Sequence, residues 1–162
     1  MSLKDQYEKM HLQGHFPGQM AWQFRDDILR LMKKTGTRTL LDYGSGKGKQ
    51  WGKLALHLQV DPTLYDPYYP PNAKRPEGTF DGVICTDVLE HIPEDEVEQV
   101  LRDIIEYARC FVFLTICTKP AKKTLPDGRN AHLTVRPSEW WDEMLDRILS
   151  DYEPITMAVR YT

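Results

Sequence analysis

The sequence predicts an α/β fold with a mostly parallel central sheet, and three observations carry that prediction. Strand-like apolar runs alternate with helical stripes along the chain. The run "CFVFLTIC" is apolar without a break, as a strand covered on both faces must be. A loop with glycines at alternate positions, "GSGKG", follows directly on the first strand. In open α/β sheets, ligands bind beyond the C-terminal ends of the strands, where strand order reverses.

The elements follow in order. Phe24, Ile28, Leu31 and Met32 recur at helical spacing and define a first helix ending near Gly36. "TLLDYG" is a short buried strand running into the glycine loop. Trp51, Leu54, Ala55 and Leu58 give the next helix one apolar face. "TLYD" is a second strand, cut off by "PYYPPNAKRPEG", and "FDGVICT" is a third. Pro93 suits a first helical position, and Glu94, Asp95 and Glu96 suit the positive end of the helix dipole. Val97, Val100, Leu101, Ile104, Ile105 and Ala108 form the stripe of that helix. "CFVFLTIC" is the fourth strand. A long polar loop leads to a helix carrying Trp141, Met144, Leu145 and Ile148, and "ITMAVRY" closes the chain as a strand. The 162 residues suit a single domain, 1–162, with a polar N-terminal cap segment, 1–19, and a lid loop, 118–137.

Composition narrows the function classes. The chain is 41% apolar and 28% charged, and no apolar run approaches the ~18 residues of a membrane span. The polar N-terminus lacks a signal-like stretch. Cys85, Cys110 and Cys117 lie in or beside apolar runs without framework spacing, so reduced, buried thiols and a cytoplasmic setting are expected. A net charge of −3 gives no general affinity for nucleic acid. Charge is uneven, however. Lys119, Lys122, Lys123, Arg129 and Arg136 face Asp127 alone between Thr118 and Pro137.

The glycine loop is not a P-loop: counting from Gly44, Lys49 stands where the second glycine belongs, and no Ser or Thr follows. The dinucleotide fingerprint fails at the same position, because the third glycine, Gly48, comes one residue early. With Asp42 ahead, the stretch reads Asp-x-Gly-x-Gly-x-Gly. Downstream, Asp66 ends the second strand in "LYDP", and "FDGVICTDVLEHIPEDE" follows. Each residue alone also reads as a turn former or helix punctuation; the three matches in order, at strand ends, carry the reading.

In these motifs, from Thr39 to Cys117, the sequence resembles the class I S-adenosylmethionine-dependent methyltransferases. The resemblance implies a three-layer Rossmann-like fold. It also implies a cofactor site formed by Asp42, Tyr43, Gly44, Ser45, Gly46, Gly48, Asp66, Pro67, Tyr68, Thr86, Asp87 and Val88. Asp42 would help place the methionyl amine, and Asp66 would accept hydrogen bonds from both ribose hydroxyls. S-Adenosyl-L-methionine is the implied cofactor and S-adenosyl-L-homocysteine its product. The fold is reduced relative to the family. Between Asp66 and Phe80 there is no room for the usual helix, third strand and adenine loop, and the usual C-terminal antiparallel pair is represented only by "ITMAVRY". Tyr68 or Tyr69 is then available to stack on adenine, or to cover the sheet edge.

Two segments lie outside the cofactor motifs. His15 and Phe16 precede the first helix, and the 118–137 loop carries Arg129, Asn130 and His132. A long polar loop within a small domain is characteristically functional. His15, Phe16, Glu90, Arg129 and Asn130 are therefore assigned to the substrate, and His91 and His132 to proton removal from the acceptor. The expected acceptor is a small or medium polar molecule, anionic ones included, methylated on O or N. No metal site is expected: His11 and His15 have helical spacing, but Gly14 and Pro17 argue against a helix there. Three alternatives stay open: a non-catalytic S-adenosylmethionine-binding subunit of a partner, an RNA methyltransferase using the basic loop, and a nicotinamide-dependent oxidoreductase. A homodimer covering the sheet edges is the expected assembly, if any.

Overall fold

The computed structural model describes residues 1–162. Its centre is a five-stranded, entirely parallel sheet of β1 (Leu40–Tyr43), β2 (Thr63–Tyr65), β3 (Phe80–Thr86), β4 (Ala108–Ile116) and β5 (Thr156–Tyr161). The spatial order is β2-β1-β3-β4-β5. The chain leaves β1 for β2 on one side and returns to place β3 on the other, so strand order reverses between β1 and β3. All five strands expected from the sequence are present, and the expected gap in the fold is present too. Only a short helical turn, Pro70–Asn72, lies between β2 and β3. β5 is parallel to β4, with no antiparallel partner.

Helices α2 (Arg25–Thr35) and α3 (Trp51–Leu58) cover one face, and α4 (Glu94–Tyr107) and α5 (Ser138–Leu149) the other. The period-2 alternation of strands divides the core accordingly. Leu40, Ile84, Phe111 and Phe113 pack with Ile28, Trp51 and Leu54. Leu41, Val83, Cys85, Val112 and Leu114 pack with Val97, Leu101, Trp141 and Ile148. Gly36 ends α2 in the left-handed conformation, as its position predicts. No helix is long and apolar enough to cross a membrane.

Three expectations are corrected. The N-terminal cap contains a helix, α1 (Leu3–Leu12), opened by a reciprocal capping box between Ser2 and Asp5. It ends before Gly14, so His11 is on it and His15 is not. Ala108 starts β4 rather than ending the preceding helix, and Tyr107 supplies the buried position instead. Of the cysteines, only Cys85 is buried; Cys110 and Cys117 are half-exposed.

α1 packs against the 118–137 loop. Tyr7 and Met10 join Leu125 and Ala131 in a small cluster of their own. Gln6 and Asp127 bond reciprocally: Gln6 Nε2 donates to Asp127 Oδ2 (2.9 Å), and the Asp127 amide donates to Gln6 Oε1 (3.1 Å). Within the loop, Thr124 and Asn130 form an isolated antiparallel bridge. These contacts build a wall over the C-terminal edge of the sheet.

Candidate active site

Under that wall lies a cavity of about 620 Å³, within the range of small-molecule sites. Its floor comes from the ends of β1, β2 and β3 and its roof from α1, the segment after it and the basic loop.

The glycine loop shapes the floor. Gly44 and Ser45 both donate their amides to the Tyr65 carbonyl (2.7 and 3.0 Å), which ties the loop to the end of β2. The segment Phe16–Gly18 runs alongside and accepts from it: Lys47 N–H to Phe16 O, Lys49 N–H to Pro17 O and Gln50 N–H to Gly18 O. Close approach demands glycine on both sides. A Cβ on Gly46 would stand 2.5 Å from the Phe16 carbonyl oxygen, and one on Gly18 would overlap the Ser45 carbonyl. The N-terminal segment is thus stitched to the loop, a link that the sequence motif alone did not reveal.

Asp66 crosses from strand end to cavity wall. Its Oδ2 accepts from the Gly46 amide and its Oδ1 from the Tyr68 amide, each at 2.9 Å. His11 Nε2 stands 4.0 Å from the same carboxylate, and burial pulls the His11 pKa down, which favours neutral imidazole. Each Asp66 oxygen keeps a free lone pair, and the residue lines the cavity. Tyr43, Gly44, Gly46, Pro67, Tyr68, Thr86 and Val88 line it as well. Tyr68 is not free-standing: it stacks on Tyr7, with ring centroids 5.4 Å apart and planes 9° from parallel.

Asp42 is placed differently. It is 1% exposed and absent from the cavity lining. In β1 it shares the face of Leu40, so its side chain turns under the loop towards α3. There Oδ2 accepts the Trp51 indole N–H at 2.6 Å. Burial pushes the Asp42 carboxyl up to about 7. Ser45 and Gly48 likewise support the loop from below without lining the cavity.

At the opposite end, Asp87 has a left-handed backbone (φ 61°), held by its amide donating to Thr115 Oγ1 at 3.0 Å. His91 and His132 meet edge to face, 4.8 Å between ring centroids. His91 Nδ1 lies 2.8 Å from the Ala131 carbonyl, and His132 Nδ1 lies 2.5 Å from the Lys119 carbonyl. A carbonyl only accepts, so each Nδ1 carries a proton and each Nε2 is the ring nitrogen left without a protein partner. Burial lowers the His91 pKa, which keeps that ring neutral. Both histidines line the cavity, and so does Phe16.

The remaining assigned substrate residues lie outside the cavity lining. Glu90 is fully buried beneath it; Oε1 accepts the Cys117 amide at 2.8 Å. Burial, with the neighbouring Asp87 carboxylate, pushes its carboxyl up to about 8. Arg129 is turned outwards into a pair with Asp127 (2.8 Å). Asn130 braces the loop by bonding both backbone groups of Ala121, and His15 lies off the cavity. The cations that do line the cavity are Lys119, Lys122 and Lys123. Tyr7 and Cys117 line it too and were missed. Leu3, Tyr7 and Met10 at helical spacing behind Ser2-x-x-Asp5 were the available signal for α1 and hence for Tyr7.

A family model described as a methyltransferase domain matches residues 16–149. No curated protein matches the sequence.

Proposed function

The chain belongs to the methyltransferase-domain family, and on that premise we propose that it moves a methyl group from S-adenosylmethionine to a small, polar, anionic acceptor, on O or N. One observation carries this reading: a single cavity joins a carboxylate-and-glycine cradle at one end to two imidazoles anchored through Nδ1 and three lysines at the other.

The cradle suits the cofactor. Asp66 offers free lone pairs on both oxygens, the acceptor pattern that two vicinal hydroxyls require. The glycine loop brings backbone, not side chains, to the cavity floor. Tyr68 and Pro67 supply flat and apolar surface where the family's adenine loop has no room. When bound, the cofactor supplies an electrophilic methyl group on sulfur.

The protein's own residues do the rest. Lys119, Lys122 and Lys123 attract an anionic acceptor and orient it. Tyr7 and Phe16, packed edge to face on His91, keep water from the reacting end. Alignment of this kind is worth on the order of 7–11 kcal/mol of barrier. The Asp87, His91 and His132 group takes charge of the acceptor proton, a contribution of about 10²–10⁴-fold.

Calorimetric titration with S-adenosylmethionine and with NAD, followed by transfer of labelled methyl to a panel of carboxylated and phosphorylated small molecules, tests the proposal. Micromolar binding of the first, none of the second, and label in an anionic acceptor are expected. Absence of S-adenosylmethionine binding, or tighter binding of NAD, would overturn it.

A further inference from the structure

We propose that Asp87, His91 and His132 form a site for a divalent first-row transition-metal cation at the acceptor end of the cavity. This deepens the reading above and rests on it for the cation's role, while the site itself rests on the donor set.

Four observations carry it. One ligand atom from each of the three residues lies within 4.8 Å of the others. A cation bound at about 2.0–2.2 Å from each requires only small side-chain rotations to draw them together. Both imidazoles have Nδ1 committed to a backbone carbonyl, Ala131 at 2.8 Å and Lys119 at 2.5 Å. That leaves each Nε2 without a protein partner, the arrangement by which metal-ligating histidines are oriented. Beneath them Glu90 is fully buried with Oε2 unpartnered, and it forms a second, overlapping donor set of the same spacing with Cys117 and His132. Finally, no lysine or arginine pairs with Asp87 or Glu90, so these two neighbouring acids have no bonded protein cation.

Two imidazoles and one carboxylate suit iron, zinc, cobalt or nickel better than magnesium or calcium, and three protein ligands leave positions open. Those positions face the cavity, since all three residues line it. An acceptor hydroxyl bound there would lose its proton to water more readily. The two histidines then serve as ligands, and acidification by the cation replaces abstraction by a free base. The sequence hid this site because His132 comes from a loop 41 positions beyond His91, outside any short-spacing motif.

The test uses the full chain, stripped of metal by dialysis against chelator and titrated with cobalt(II) chloride. Calorimetry and visible absorbance are read together. Expected is one ion per chain at micromolar or lower concentration, a coloured complex bleached by zinc, and binding at least tenfold weaker in His91→Ala and in His132→Ala. His57→Ala, on the exposed face of α3, serves as the control and binds as the wild type. Wild-type protein that takes up no stoichiometric cobalt overturns the site without recourse to any variant. So does unchanged affinity in both cavity variants. S-Adenosylmethionine titration of the same samples separates the two readings. Cobalt without S-adenosylmethionine binding upholds the site and removes methyl transfer; the reverse removes the site alone.

Discussion

Replacing Asp66 by Asn exchanges one oxygen for an amide nitrogen at almost constant shape. The wild-type carboxylate accepts from Gly46 and Tyr68 at 2.9 Å each, one bond per oxygen. Asn has a single acceptor oxygen, so one of those buried amides must face an NH₂ group. An orphaned buried donor costs about 1–3 kcal/mol. For a chain of this length that lowers the thermal midpoint by about 2–12 °C. The same change removes charge-assisted hydrogen bonds to the cofactor's hydroxyls, at about 1.5–3 kcal/mol each. A net loss of about 2–4 kcal/mol is about 30- to 700-fold in affinity. Melting without ligand measures the first effect, and calorimetry with S-adenosylmethionine at 15 °C measures the second on protein shown to be folded. A folded Asp66→Asn variant that binds within threefold of wild type would refute the assignment of this carboxylate to the cofactor.

The remaining predictions concern the supports around the site. Burial holds the Asp42 proton to about pH 7, whereas the unfolded chain releases it near 4, so this group's contribution to stability falls as pH rises through that window. Asp42→Asn should flatten the slope, gaining on the order of 4 kcal/mol on wild type between pH 4 and pH 8 in urea titrations. Its cofactor affinity should change less than threefold, because the side chain is not at the cavity; parallel pH slopes would contradict this. Gly18→Ala forces a side chain against the Ser45 carbonyl at a φ of 68°. It should cost more than about 2 kcal/mol and weaken S-adenosylmethionine binding at least tenfold. Gly14→Ala, with open space around it, should cost about 1 kcal/mol for its positive φ and leave binding unchanged. Gln6→Ala removes both hydrogen bonds to Asp127, worth about 1–2 kcal/mol together. Hydrogen exchange in residues 119–131 should accelerate while the β4 amides keep their protection; uniform acceleration would mean that α1 does not brace the loop.

The sequence alone determined the strands, the helices that follow them and the reduced form of the sheet. Those properties are local: strand and helix periods are written in residues a few positions apart, and the missing crossover is a matter of how many residues separate Asp66 from Phe80. The glycine loop and Asp66 were legible through the family resemblance that their short motifs carry. Tertiary structure decided what each acid does. Asp42 and Asp66 look alike on paper, yet the pleat turns Asp42 under the loop onto Trp51, while Asp66 stands past the end of β2 and reaches the cavity. It also decided which cations face the ligand: Arg129 is drawn out to Asp127, and the lysines remain. The roof was the least legible part. Tyr7 meets His91 across 84 positions and Gln6 meets Asp127 across 121. Contacts of that separation are set by the packing of α1 and the basic loop against the sheet edge, and no nearest-neighbour pattern records them.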